Sequence, residues 1–173
     1  MSETIISSIF ISFFTKYGST CTSSRNNNIK VTLDELGIQH FADGEYDNAL
    51  EVFDSARNIR LEVLGSSTLE YAMVLNNIAC VEFLINNPKV ALEMFQKARD
   101  IQLQVMKTSS TVGLHLLQAA TTLCNMAYMK LRLRKYEDAL SIFQEALLVS
   151  VSKPLILSYK CRKYLLYIHH FIY

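Results

Sequence analysis

One frame, Ala-Leu-x-x-Phe-x-x-Ala, recurs three times along this chain, and few folds accommodate it. The copies read Asn48-Ala-Leu-Glu-Val-Phe-Asp-Ser-Ala56, Val90-Ala-Leu-Glu-Met-Phe-Gln-Lys-Ala98 and Asp138-Ala-Leu-Ser-Ile-Phe-Gln-Glu-Ala146. Alanine, phenylalanine and alanine follow one another at steps of four and three, so Ala49, Phe53 and Ala56 share one face of a helix, as do their counterparts. Alanine lets a neighbouring helix come close, and the ring fills the space beside it. Sixteen residues before each first alanine a second segment also repeats: Leu33-Asp-Glu-Leu-Gly37, Leu75-Asn-Asn-Ile-Ala79 and Leu123-Cys-Asn-Met-Ala127. Each ends in a small residue suited to close approach.

Between the paired segments the turns read Asp43-Gly44, Asn86-Asn87-Pro88 and Arg134-Lys135, of which Asp-Gly is a strong turn signal. Asn87 suits an N-cap and Pro88 the first helical position, while Ser67-Thr-Leu-Glu70 has the form of a capping box. These signals predict helices over 31–43, 46–64, 68–86, 88–107, 112–133 and 136–151. With short connections, consecutive helices pair antiparallel. The expected fold is all-α, an α-α superhelix of about three hairpins spanning 31–67, 68–111 and 112–151, with a longer loop around 107–113. Residues 1–30 read as a short apolar segment followed by a flexible polar linker. Residues 152–173 read as an apolar and basic helix or tail.

Half of the 173 residues are hydrophobic and 19% are charged, which excludes global disorder. The net charge is +1, giving no bulk affinity for nucleic acid. Its distribution is uneven: residues 31–107 hold twelve acids against six bases, and 130–173 hold eight bases against three acids. The plain reading is solvated surface, and the alternative is a bias on which partner docks where. Cysteines stand at 21, 80, 124 and 161, without a CxxC pair. Cys80 and Cys124 fall in apolar helical runs and read as small buried hydrophobes, which fits a reducing, cytoplasmic setting. The apolar stretches at 5–14 and 164–173 are too short to span a bilayer.

These residues resemble the tetratricopeptide repeat family. Its pattern of Leu, Gly or Ala, an aromatic, Ala, Phe and Ala is matched by Leu36-Gly37, Tyr46, Ala49, Phe53 and Ala56. It is matched again by Ile78-Ala79, Ala91, Phe95 and Ala98, where Pro88 replaces the aromatic, and by Met126-Ala127, Tyr136, Ala139, Phe143 and Ala146. Leucine stands at the tryptophan position in all three. Ala49 and Ala91 lie 42 residues apart, longer than the usual 34-residue repeat. Together with Leu64-Gly65 and Tyr71-Ala72-Met-Val-Leu75-Asn76-Asn77, this spacing is similar to the long repeat of kinesin light chains. The resemblance covers about 31–151.

Stacked hairpins leave a concave face lined by the first helix of each pair. By helical phase that face carries Asp34, Ile38 and Phe41, then Met73, Asn76, Cys80 and Phe83, then Thr121, Cys124, Tyr128 and Leu131, with Asn77 and Asn125 at its edge. Amide side chains both donate to and accept from a peptide backbone, and Phe41, Phe83 and Tyr128 offer apolar pockets. The expected partner-binding residues are therefore Asp34, Phe41, Asn76, Asn77, Phe83, Asn125 and Tyr128. The resemblance implies the same use of the asparagines, because kinesin light chains contact cargo peptides through similar ones. A clamp for a terminal carboxylate is not expected, since no cation stands at Asp34, Ile38, Asn76, Cys80 or Cys124 and Asp34 repels a carboxylate.

The sequence has no Walker loop, Rossmann glycine fingerprint, HExxH or GxSxG. His40 reads as a packing residue, and His169 and His170 point about 100° apart on a helix. The expected function is thus a non-enzymatic protein-interaction module or adaptor taking a protein or peptide, with no cofactor, metal or small-molecule substrate. The runner-up is a peripheral protein that uses Lys130, Arg132, Arg134, Lys135 and the apolar tail on lipid or RNA.

Overall fold

The computed structural model describes residues 27–108 and 112–150, apart from the side chains of 27–32, 112–115 and 150. The described residues form six helices and no strand: α1 Asn27–Ala42, α2 Tyr46–Leu64, α3 Leu69–Leu84, α4 Pro88–Thr108, α5 Val112–Arg132 and α6 Tyr136–Ser150. Five of the six start within two residues of expectation. The exception is α1, which takes in Asn27 to Lys30 from the segment read as linker. The expected features of 1–26, 109–111 and 151–173 lie outside the described residues.

All three hairpin corners are built alike. Gly44, Asn86 and Arg134 have φ of 79°, 69° and 59°. The amide of the next residue reaches back five positions in each corner: Glu45 to the His40 carbonyl at 2.9 Å, Asn87 to Glu82 at 2.8 Å and Lys135 to Lys130 at 3.0 Å. The left-handed residue itself donates three positions back, to Phe41, Phe83 and Leu131. This is a Schellman closure, which satisfies carbonyls that a helix end leaves bare. Glycine adopts that φ without penalty, whereas Arg134 bears a cost of about 1 kcal/mol. At the start of α3 the cap is Thr68, one residue beyond the expected Ser67. Its Oγ1 accepts from the Tyr71 amide at 3.3 Å.

The chain divides into two compact units, Met1–Met94 and Phe95–Tyr173. In the first, α1 packs on α2 and α2 on α3. Ala49, Phe53 and Ala56 are wholly buried along α2. A Cβ placed on Gly37 would come within 2.5 Å of the Phe53 ring, so glycine is what allows α1 and α2 to approach this closely. Phe41 is buried with its ring centroid 5.9 Å from that of Tyr46. It thereby fills the packing place expected for His40, whose Nδ1 instead lies 2.6 Å from Glu45 Oε2 at the surface. Asp34 and Arg60, on α1 and α2, form a buried ion pair.

In the second unit α5 packs on α6. Phe95, Ala98, Ala139, Phe143 and Ala146 are wholly buried there. Two polar links tie its helices. Arg99 Nη2 donates to Glu145 Oε1 at 2.6 Å, and Gln102 Nε2 donates to Thr122 Oγ1 at 3.0 Å.

Two stability effects follow from the first unit. Gly37→Ala raises helix propensity yet forces a buried ring to move, so chemical denaturation is expected to show a loss of about 1–3 kcal/mol; a gain would mean that Phe53 has room to yield. Arg60→Ala leaves the Asp34 carboxylate buried without its counter-charge, with an expected loss of about 3–5 kcal/mol. Replacing both with apolar residues of similar volume (Asp34→Leu with Arg60→Met) should recover most of that loss. A double variant as unstable as the single one would assign the effect to packing instead.

Candidate functional site

The candidate residues come from the first helix of each hairpin. In the first unit Asp34 and Phe41 lie on α1, and Asn76, Asn77 and Phe83 on α3. Asn125 and Tyr128 lie on α5 in the second unit. The periodicity of α3 and α5 fixes their phase, but the surroundings differ from an open trough. Asn76 is 8% exposed, Asn77 9%, Asn125 3% and Tyr128 4%. Of the seven candidates, only Phe83 is half-exposed.

Two candidates have clear structural work. The Asp34 carboxylate holds Arg60, which is itself buried, and the Phe41 ring meets Tyr46. A buried amide or carboxylate needs hydrogen bonds to offset lost hydration. Asn76 Nδ2 donates to Asn77 Oδ1 at 3.3 Å. The Tyr128 hydroxyl accepts from Arg132 Nη1 at 3.3 Å. Beside these, α5 carries a buried polar ridge: Gln118 and Thr122, which the expected face did not include, join Thr121, which it did and which donates to the Leu117 carbonyl at 2.8 Å. Its signal in the sequence is the step of three and four that joins Gln118, Thr121, Thr122 and Asn125.

The cysteines depart from expectation. Cys80 is a fully buried thiol outside any disulfide, and burial pushes its ionisation well above the usual thiol range. Cys124, expected to be a plain buried thiol, is disulfide-bonded. Low spacing specificity misled here, since a bond between distant cysteines leaves no CxxC signature. The disulfide also runs against the reducing setting inferred from reading Cys80 and Cys124 as plain buried thiols.

The basic cluster at the third corner is partly neutralised. Lys130 Nζ lies 2.9 Å from Asp138 Oδ2, and that ammonium holds the Asp138 carboxyl below the ordinary carboxylate range. Arg132 is engaged by Tyr128. At the first corner a hydrogen bond from Asn48, reinforced by His40, lowers Glu45. Among the described residues, no group of His, Cys, Asp and Glu could hold a metal ion, and no helix is long and apolar enough to cross a membrane.

Comparison with known proteins agrees with this architecture. A family model described as Tetratricopeptide repeat matches residues 29–104, and a second one of the same description matches 119–151. No curated protein matches the chain. The two matched ranges cover most of α1 to α6 and each holds whole Ala-Leu-x-x-Phe-x-x-Ala frames, so the chain belongs to the tetratricopeptide repeat family, whose hairpins indicate a protein–protein interaction module.

Proposed function

We propose that this protein is a non-enzymatic adaptor that binds a peptide or protein partner along the first-helix faces of its hairpins, in the manner of the kinesin light chain cargo-binding domains. One observation carries the reading: amide side chains stand beside aromatic ones on those faces. Asn76 and Asn77 accompany the half-exposed Phe83 on α3, and Asn125 accompanies Tyr128 on α5. Amides satisfy a peptide backbone whatever its side chains, and rings supply the apolar contact. Phe83, with Asn76 and Asn77 at the margin of exposure, forms the more accessible part. Asp34 and Phe41 support that surface through the first hairpin. The setting proposed from composition is cytoplasmic, with the Cys124 disulfide as the observation against it.

The partner is not an acidic chain terminus. Asp34, Ile38, Asn76, Cys80 and Cys124 include no cation, and a carboxylate desolvated there would lack a counter-charge. A lipid- or RNA-associated role has less support, because Lys130 and Arg132 already have partners.

The test uses peptides selected from a random display library against the full chain. Asn76→Ala with Asn77→Ala is expected to weaken the selected peptides about tenfold, which is about 1.4 kcal/mol. Unchanged affinity removes the asparagines from the site. In the same titration a peptide ending in acidic residues should bind no better than its amidated form; clear preference for the free carboxylate would contradict the assignment. Salt-sensitive binding to anionic vesicles or RNA, with no peptide selected, would favour the peripheral role.

A further inference from the structure

The three corners share one backbone closure but differ in charge. At the first, Asp43, Glu45 and Asp47 are exposed, and among the described residues no Lys or Arg pairs with them. Glu45 is held by Asn48 and His40, and Asp43 Oδ2 accepts from Gln39 Nε2 at 2.9 Å. The second corner, Ile85-Asn86-Asn87, carries no charge. At the third, Arg132, Leu133, Arg134 and Lys135 are all exposed. Lys130 takes Asp138, and Arg132 donates to the neutral Tyr128 hydroxyl. Among the described residues no carboxylate forms an ion pair with Arg132, Arg134 or Lys135.

The closure puts unlike charges at matching positions. Glu45 and Lys135 are counterparts, each directly after the left-handed residue and each donating its amide five residues back. At the left-handed position the first two corners have glycine and asparagine, whereas the third has Arg134 at φ 59°. Holding arginine there costs free energy that glycine would spare. Such strain at an exposed tip points to work done by the side chain. The Arg134 side chain takes no part in the closure, so what it adds over glycine is a cation. The chain as a whole has a net charge of +1, so two copies repel each other little while their unlike corners attract.

We propose that the third corner is a docking surface for a second copy of this chain, with Arg132, Arg134 and Lys135 meeting Asp43, Glu45 and Asp47 on the first corner of the other copy. Leu133, 39% exposed within the basic run, adds apolar area to the contact. The two corners differ, so the contact is heterologous, and each docked pair still presents one open corner of either sign to a further copy. Exposed ion pairs contribute little each, which makes the association weak, reversible and sensitive to salt. The inference does not depend on the adaptor reading, since Asn76, Asn77 and Phe83 take no part in it.

Small-angle scattering of the full chain at millimolar concentration tests this. Association is expected in about 10 mM salt, where charges act over roughly 30 Å, and its loss is expected near physiological salt, where they act over about 8 Å. Reversing the third corner (Arg134→Glu with Lys135→Glu) or the first (Asp43→Lys with Glu45→Lys) should each weaken association about tenfold or more. The chain carrying all four changes keeps the natural net charge and should recover it. Arg134→Gly removes one cation, keeps the closure and relieves the backbone, so it should weaken association while raising the melting temperature; it serves even if a reversed corner folds poorly. A natural chain that stays monomeric in low salt overturns the proposal, as does association that survives reversal or is not recovered by the fourfold change. Binding of anionic vesicles or RNA at the third corner without self-association overturns it too, by naming a different occupant. Neither corner enters the peptide titration, so failure here leaves the α3 face to be judged separately.

Discussion

The structure depends on a ring seated between alanines. Phe53, Phe95 and Phe143 are wholly buried, and each is flanked on its own helix by two wholly buried alanines. Burial of one such ring contributes about 2 kcal/mol or more, but the geometric effect matters as much. Small residues set the distance at which helices pass, and the ring then fills the remaining volume at close to crystal density. Gly37 takes this furthest, since even a methyl group there would collide with Phe53.

That seam was legible because it repeats. A single Ala-Leu-x-x-Phe is weak evidence for any fold, but three copies at matching offsets from a second repeated segment constrain helix number, phase and pairing together. The corners were legible for a related reason. Gly44 and Asn86 are residues that tolerate a left-handed backbone. Arg134 gave no such signal, and only its place between the two repeated segments marked it as the third corner. The Thr68 cap slipped by one place because Ser67 and Thr68 compete for the same chemistry.

The candidate surface was less legible. Helical phase says which way Asn76, Asn125 and Tyr128 point, but not what lies opposite. That depends on contacts made far along the chain. Asp34 looked like a groove residue because its partner, Arg60, is 26 positions away. Phe41 looked like a pocket because the ring it meets is on the next helix. The Cys124 bond was invisible for the same reason. Local periodicity carries secondary structure and phase, whereas burial belongs to tertiary packing.

The shared corner geometry has a consequence for variation. Backbone hydrogen bonds close each corner, so the glycine, the asparagine and the arginine all serve, and their side chains take no part in the closure. Charge at these tips can therefore be rewritten by point substitution while the path of the chain stays fixed. Surface identity and architecture are thus inherited separately, and related chains could diverge in what they repel or attract at the tips without first having to refold.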